Sequence, residues 1–436
     1  MKLTQLKGMF VARGCTKLYA KPLAANDNSK NQVYFGPGFN ALNLFPNTGI
    51  FADSSPKNPI FKARLQFCWM RPDNQMTEAP NAQLILYPQY PEVRFSGFLR
   101  GCKGAPSDLM AGRMDGRILF LGVTSAHGIV GFVVDGKSEI AAEFSALKLE
   151  PTDGIFTGLT LPSIPSGADS REQLLAELHR INQKGWIDSK QLDSHRRLKP
   201  CNAPQCGGFT LEAELGISKN SDAEPDFLGW EVKQYGVDDF DRIESAKAIT
   251  LMTPEPDGGY YKDHNAEAFV RKFGYVDKLG RADRMNFGGR HFVGKRCPPT
   301  GLTMQLNGYD AQTGKITDAT GAIALVSDSG EVAAEWSFGK ILEHWSHKHT
   351  KAVYVPSQCR SEPLRQYAYG NKVRLAQKTD SLLLLAAFAR GGVYYDPGIK
   401  LENASIGTPK TKKRSQFRVA SRNISALYET VETVQV

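Results

Sequence analysis

Two patterns of apolar and polar positions divide this chain. Residues 1 to about 150 carry short β-rich runs instead of long 3.6-residue periods: VYFG from Val33, FKARLQFCWM from Phe61, AQLILYP from Ala82, ILFLGV from Ile118 and GIVGFVV from Gly128. Clusters of Gly, Pro and Asn separate these runs, which predicts a small β-barrel or sandwich. From Leu149 to Ser170 the sequence LEPTDGIFTGLTLPSIPSGADS has weak periodicity and is rich in Pro, Gly and Ser, as an interdomain linker is. Helical spacing begins after it. In REQLLAELHRI, Leu174, Leu175, Leu178 and Ile181 fall on one side of an amphipathic helix that leads into Gly185-Trp186-Ile187. The expected organisation is a domain over residues 1–150, a linker over 151–172 and a second domain over 173–436. No repeat of fixed period and no low-complexity tract interrupts it.

Between Gly207 and Gln234 the pattern acquires chemistry. TLEAELGI spaces Leu211, Leu215 and Ile217 for a short helix with one apolar side. SKNSDAEP is a polar, turn-rich loop, and Pro225 biases its predecessor towards extended backbone. Phe227 to Val232 is apolar or aromatic apart from Gly229 and Glu231, which predicts a buried strand that would exclude charge without a reason. Strand alternation puts Glu231 and Lys233 on one side and Val232 on the other. With Asp226 ahead of them, these residues set two carboxylates beside an ammonium. Asp226 and Glu231 suit Mg²⁺, which takes oxygen ligands and keeps several waters, and Lys233 suits the orientation or deprotonation of an attacking water. The spacing is short, and taken on its own it is explained better by a solvated ion pair at a strand end. Glu212 changes the balance. It stands fourteen positions before Asp226, on a helix that could pack beside the strand and aim it at the same metal.

These residues resemble a known family. KGWIDSKQLD at 184–193, GGFTLEAELGI from Gly207 and PDFLGWEVK from Pro225 are similar to the MvaI/BcnI restriction endonucleases and the related mismatch-repair nicking enzyme MutH. The shared order is a helix glutamate, Leu-Gly, a polar loop, Asp-Phe and Glu-x-Lys. The resemblance implies Glu212 as the helix glutamate, Asp226 and Glu231 as metal carboxylates and Lys233 as the catalytic lysine. Glu214 is the residue most easily confused with Glu212, which is preferred because it follows Thr-Leu and precedes Leu215-Gly216 by three residues. More thinly, ITLMTPEPDGGYY, FVRKFGY and RSQFRVASRNISALYE extend the resemblance over roughly residues 176–436. The implied fold is an α/β mixed sheet flanked by helices, of the PD-(D/E)xK restriction-endonuclease type. The implied activity is Mg²⁺-dependent, type II site-specific cleavage of double-stranded DNA at a short pseudo-palindrome flanked by CC and GG. Where relatives carry a His-rich stretch before the final Phe-Arg, this chain has KTKKR at Lys410 to Arg414, so base readout could differ.

A second resemblance covers the front of the chain. LAANDNSKNQVYFGPGF, LFP, AQLILY and EVRFSGFLRGCKGAPSD look like the B3-like DNA-binding domain of EcoRII- and UbaLAI-type enzymes, a mainly-β pseudobarrel. By that match the loops at Asn26–Gln32 and Arg94–Asp108 are arms gripping the major groove, with Lys30, Gln32, Arg94, Arg100 and Lys103 as contacts. Arginine suits bidentate bonding to guanine and lysine suits phosphates, although exposed basic residues on loops are usually solvated surface. The combined architecture resembles enzymes that read one site with an accessory domain and cut another (type IIE), or read one sequence twice.

Composition bounds these expectations. The 436 residues suffice for two or three domains, and a hydrophobic share of 41% is that of an ordinary globular protein. A formal charge of +9 favours a polyanionic partner. The excess concentrates from Pro409 to Arg422, where Lys410, Lys412, Lys413, Arg414, Arg418 and Arg422 occur without an acid; Arg414 and Arg418 are the candidate DNA contacts there, against the plainer reading of a solvated hairpin. No apolar run is long enough for a membrane span or secretion signal, so a cytoplasmic protein is expected. Seven cysteines, an odd count, suit free thiols in a reducing compartment, and Cys201 with Cys206 lacks the second pair of a zinc site. EHWSHKHT crowds His344, His347 and His349, which suits a metal or a DNA phosphate, but the plainer and stronger reading is a helix packing its aromatics with these histidines at an exposed polar end. Arg290-His291 and Lys295-Arg296 lie in a Gly-rich stretch that suits readout loops or plain surface. A monomer acting alongside a cognate DNA methyltransferase is the expected biology. A strand-nicking or modification-sensing nuclease of a defence system is one alternative. A non-catalytic DNA-binding regulator is another, though the intact set Glu212, Asp226, Glu231 and Lys233 speaks against decay.

Overall fold

Every apolar run singled out in the first part of the chain forms strand, in a computed structural model that describes residues 1–25, 31–55, 57–162, 170–203, 205–218, 226–245 and 248–436. The chain divides into two compact units, Met1–Gly167 and Ala168–Val436.

In the first unit the strands are β1 (Cys15–Pro22), β2 (Gln32–Pro37), β3 (Ile50–Asp53), β4 (Ile60–Arg64), β5 (Phe67–Met70), β6 (Met76–Glu78), β7 (Gln83–Tyr87), β8 (Glu92–Ser96), β9 (Ile118–Thr124), β10 (Ile129–Val134) and β11 (Thr157–Gly158). They make two open sheets, ordered β11-β1-β9-β10-β5-β6 and β2-β8-β7-β4-β3. Among the described residues neither closes into a barrel. Phe35, Phe95, Phe67 and Phe156 form a chain of ring contacts, and the Trp69 indole donates to the Phe98 carbonyl at 2.7 Å. Helices α1 (Leu3–Ala12) and α2 (Glu139–Ala146) pack Leu6, Phe10, Ile140 and Phe144 against Phe120 and Phe132. Inside the stretch expected to be a linker, Thr157 and Gly158 pair with Ala20 and Tyr19, and Phe156, Leu159 and Leu161 are buried.

The second unit is mixed α/β with several sheets. Its largest contains β12 (Ile187–Asp188), β13 (Glu231–Gly236), β14 (Lys351–Arg360), β15 (Gln366–Tyr369), β16 (Lys372–Gln377) and β17 (Thr430–Gln435). The order is β12-β15-β14-β16-β17, and β13 runs parallel to β14. Alternation gives this sheet an apolar face. Val232, Val353, Val355, Val373 and Leu375 pack with Leu174, Leu178 and Ile181 of α3 (Ser170–Gln183) and with Cys206 and Leu211 of α4 (Cys206–Glu214). Gly207 lets α4 lie close: a Cβ there would stand 2.8 Å from the Gln234 carboxamide oxygen. Three further helices follow, α5 (Gly259–Phe273), α6 (Phe338–Lys348) and α7 (Ser381–Ala389). Among the described residues no helix is long and apolar enough to cross a membrane.

Three expectations need correction. The strand predicted over Phe227–Val232 starts only at Glu231, because Leu228 and Gly229 form a tight turn ahead of it. Cys201 and Cys206 are joined by a disulfide with a Cα–Cα separation of 5.8 Å, so they are not free thiols; five other cysteines are. His349 is not at an exposed end but buried, its ring stacked on Trp345 at a centroid distance of 4.0 Å. The apolar side of α6, with Ile341, Leu342 and Trp345 buried, is as predicted.

Candidate active site

A two-residue hairpin turn assembles the acidic cluster. Phe227 and Trp230 exchange backbone hydrogen bonds of 2.9 and 2.8 Å, and between them Leu228 (φ 49°) and Gly229 (φ 83°) both adopt left-handed conformations. Two successive positive φ values describe a type I′ turn, whose twist matches that of flanking strands. The turn folds the chain so that Asp226 Oδ2 accepts from the Val232 N–H at 2.9 Å, which fixes this carboxylate beside the first residues of β13.

Strand alternation then does what the spacing predicted. Glu231 and Lys233 share the face opposite Val232, and the lysine ammonium donates to Glu231 Oε1. Glu231 is 2% exposed, and its second oxygen, Oε2, is buried without a hydrogen-bond partner. A buried carboxylate oxygen with no donor is costly in an apolar setting, and a cation removes that cost. Glu212, on α4, lies in the field of Asp226, Lys233, Glu231 and Lys348.

Crowding of three acids shapes their protonation. Burial, then the charge of Asp226, raises the Glu212 carboxyl to about 7, with Lys233 opposing. Burial and the charge of Glu231 raise Asp226 to about 6, again against Lys233. For Glu231, burial acts upward, but Lys233, His349 and Lys348 together hold the group below the usual carboxylate range. Burial works against charge on Lys233 as well, yet Glu231 and Asp226 keep its ammonium above the ordinary lysine value. The arrangement is a paired carboxylate and lysine flanked by two carboxyls that ionise near neutrality. Among the described residues no three His, Cys, Asp or Glu side chains converge as a ready-made metal cage. Donor chemistry nevertheless fits a hard divalent cation, since Asp226 and Glu231 supply only oxygen and Glu231 Oε2 is unengaged.

The sequence over residues 175–428 matches the model of the MvaI/BcnI restriction endonuclease family. The chain belongs to that family. It is an enzyme, a type II site-specific deoxyribonuclease, and restriction endonucleases generally use a divalent metal ion. Among solved structures, it is similar to restriction endonuclease MvaI in complex with cognate DNA (15% identity, TM-score 0.45, covering 62% of this chain and 99% of that one). It is also similar to MvaI in the absence of DNA (13% identity, TM-score 0.33, 62% and 100%). No curated protein sequence matches it.

Within this family member, Glu214 is held apart from the cluster. Its side chain, 4% exposed, pairs with Lys184 at 2.6 Å, Lys190 at 2.5 Å and Arg180 at 3.7 Å. Burial acts to raise it, but the bonds from Lys184 and Lys190 leave it below the usual range. Lys348 escaped the sequence reasoning, and His349 was expected at an exposed helix end. Lys348 acts on all three carboxyls. His349 Nδ1 lies 3.2 Å from the Tyr428 hydroxyl, which lies 3.0 Å from that of Tyr354, the β14 residue in register with Lys233. Burial, reinforced by the Lys233 charge, pushes the His349 imidazole down to about 3, so it stays neutral. Only its closeness to Trp345 in sequence hinted that His349 reaches the core.

The candidate DNA contacts scatter more widely. In the first unit Gln32 Nε2 donates to the Tyr87 hydroxyl at 3.2 Å, and Arg94 pairs with Glu92 at 2.8 Å and lies over the Tyr87 ring. Arg100 and Lys103 are exposed beyond β8, and Lys30 falls outside the described residues. In the second unit Arg414 is exposed, whereas Arg418 is engaged by Asp396 at 2.7 Å and by the Ala248 carbonyl at 2.9 Å.

Proposed function

We propose that this chain hydrolyses duplex DNA, with Mg²⁺, at a short pseudo-palindromic site flanked by CC and GG, through Glu212, Asp226, Glu231 and Lys233. The observation that carries the reading is the buried Glu231–Lys233 pair with Glu231 Oε2 left without a partner beside Asp226. Asp226 and Glu231 are the residues that would hold the ion, which when bound stabilises charge developing on the phosphate and favours a nucleophilic water. Lys233, kept protonated by its two acidic neighbours, is suited to orient that water and to neutralise a phosphate oxygen. Glu212, with a pKa near 7, is placed to accept a proton or complete the oxygen ligands at neutral pH.

For organisation, residues 173–436 are read as the nuclease, related also to MutH, 151–172 as a connection, and 1–150 as a B3-like recognition or effector domain. Support for the last comes from the mainly-β content and from Gln32 and Arg94 meeting at Tyr87. A monomer working opposite a cognate methyltransferase in restriction of phage DNA completes the reading. The test is incubation of unmethylated plasmid and phage DNA with Mg²⁺ or EDTA, beside Lys233→Ala, followed by sequencing of all ends. Ends sharing one short motif, absent with EDTA and with the variant, are expected. Intact DNA in every arm would sink the assignment.

A further inference from the structure

A four-stranded sheet of the nuclease unit, ordered Tyr275–Val276, Arg284–Gly288, Gly398–Glu402, Lys410–Lys412, has two unlike faces. Its register sets Phe287 opposite Ile399 and Met285 opposite Leu401, and Phe287, Ile399 and Leu401 are buried. Alternation assigns the remaining residues to the other face. They form three cross-strand rows: Arg284, Glu402 and Lys410; Asn286, Lys400 and Lys412; then Gly288 and Gly398, where the Arg414 side chain lies across the glycine.

Charge on this face is one-sided. Lys400 and Lys412 stand directly opposite each other, an arrangement that destabilises an antiparallel pair. The one acid of the rows, Glu402, is taken by Lys412 at 2.9 Å. Arg284 is tied to Asp277 at 3.6 Å and to Asn286 at 3.1 Å, and the Asn286 amide donates to Asp277 at 2.8 Å. Lys400, Lys410 and Arg414 make no ion pair with any described residue. Lys400 is half-buried, and its ammonium is held below the ordinary lysine value by burial and by Arg284, Arg281 and Arg414. Such a face is unfavourable by itself and favourable against a polyanion. Because Asn286, the amide suited to a base edge, is already engaged, while the side chains without an ion pair are all cationic, a phosphate chain fits better than base readout.

We propose that this sheet face clamps the sugar-phosphate backbone of the substrate duplex, with Lys400, Lys410 and Arg414 as phosphate contacts. The proposal rests on the reading of the chain as a DNA nuclease and adds where the duplex is held. Lys400→Gln/Lys410→Gln in the full chain tests it by fluorescence anisotropy on a labelled duplex, in EDTA, over a salt series. Affinity is expected to fall, and the slope of log K against log salt to shrink by roughly 0.9 per lost contact, about two for the pair. Glu402→Gln, which releases Lys412, is expected to act oppositely and tighten binding. Melting curves establish that each variant is folded. An unchanged salt slope in the folded double variant, or in Glu402→Gln, overturns the proposal. Failure of the nuclease reading looks different: wild type would leave DNA intact with Mg²⁺ while the salt slope still responded to these substitutions.

Discussion

Lys233 donates to one oxygen of Glu231 while the other, buried, has no partner. This asymmetry separates two roles within one carboxylate: one oxygen holds the lysine in place and the other is available to a cation. Lys233→Ala is therefore expected to lower the cleavage rate about 10²- to 10³-fold, the scale of losing a positioned electrostatic contact to the transition state. Binding of uncleaved DNA should change little. Single-turnover cleavage and anisotropy on the same preparation check this; a variant cleaving within tenfold of wild type would remove Lys233 from the chemistry.

Acid should weaken metal binding through Glu212 and Asp226. Their folded values, about 7 and about 6, lie above those of the unfolded chain, so the folded protein holds more protons between roughly pH 4 and 7. Their contribution to stability is thus fully present below about pH 4 and is lost as pH rises through 6 to 7. A divalent ion competes with those protons. The rise in melting temperature produced by Mg²⁺ is expected to be larger at pH 8 than at pH 5.5, and to flatten in Glu212→Gln. A Mg²⁺ shift independent of pH would contradict this account.

Much of that site was legible because its signals are local. A single residue separates Glu231 from Lys233, so strand alternation alone brings them to one face, and the apolar spacing of Leu211 and Leu215 placed Glu212 on a helix. The strand runs of the first unit were legible for the same reason, while α1 and α2 escaped notice because Leu3, Leu6 and Phe10 make only a short helical stripe. Pairings between distant segments were not legible. Nothing local says that β13 lies parallel to a strand beginning at Lys351, or that Tyr428 comes under Tyr354 and makes His349 a core residue. The Cys201–Cys206 bond was missed because an odd cysteine count says nothing about which two Cα atoms approach.

The turn before β13 was also hidden, since Leu228 is a poor residue for it. A non-glycine residue at positive φ costs energy that Asn tolerates better than Leu, and Leu228, 48% exposed, loses little burial on replacement. Leu228→Asn is expected to stabilise the protein by about 0.5–1 kcal/mol and keep activity. Gly229→Ala should cost about 1 kcal/mol from conformation alone, because a Cβ there meets nothing within 4 Å. Denaturant melts check both signs. If Leu228→Asn proves destabilising, the I′ geometry that holds Asp226 beside Val232 is wrong.

Glu212 and Glu214 stand on one helix two residues apart and should separate cleanly by experiment. Glu214 touches three cations and is nearly buried, so Glu214→Gln leaves Lys184, Lys190 and Arg180 without their anion. Breaking a fully buried pair costs about 3–5 kcal/mol, and since these cations remain partly in water a loss of roughly 2 kcal/mol is expected. Cleavage by the folded fraction should persist. Glu212 has raised proton affinity and like-charged neighbours, so Glu212→Gln relieves repulsion and should leave stability equal or higher while cleavage falls by about 10²-fold. Thermal melts and cleavage rates for both variants decide the matter. Were Glu214→Gln inactive but stable and Glu212→Gln active, the helix glutamate of the site would be Glu214, and the ion cluster with Lys184 and Lys190 would have to be part of the catalytic machinery.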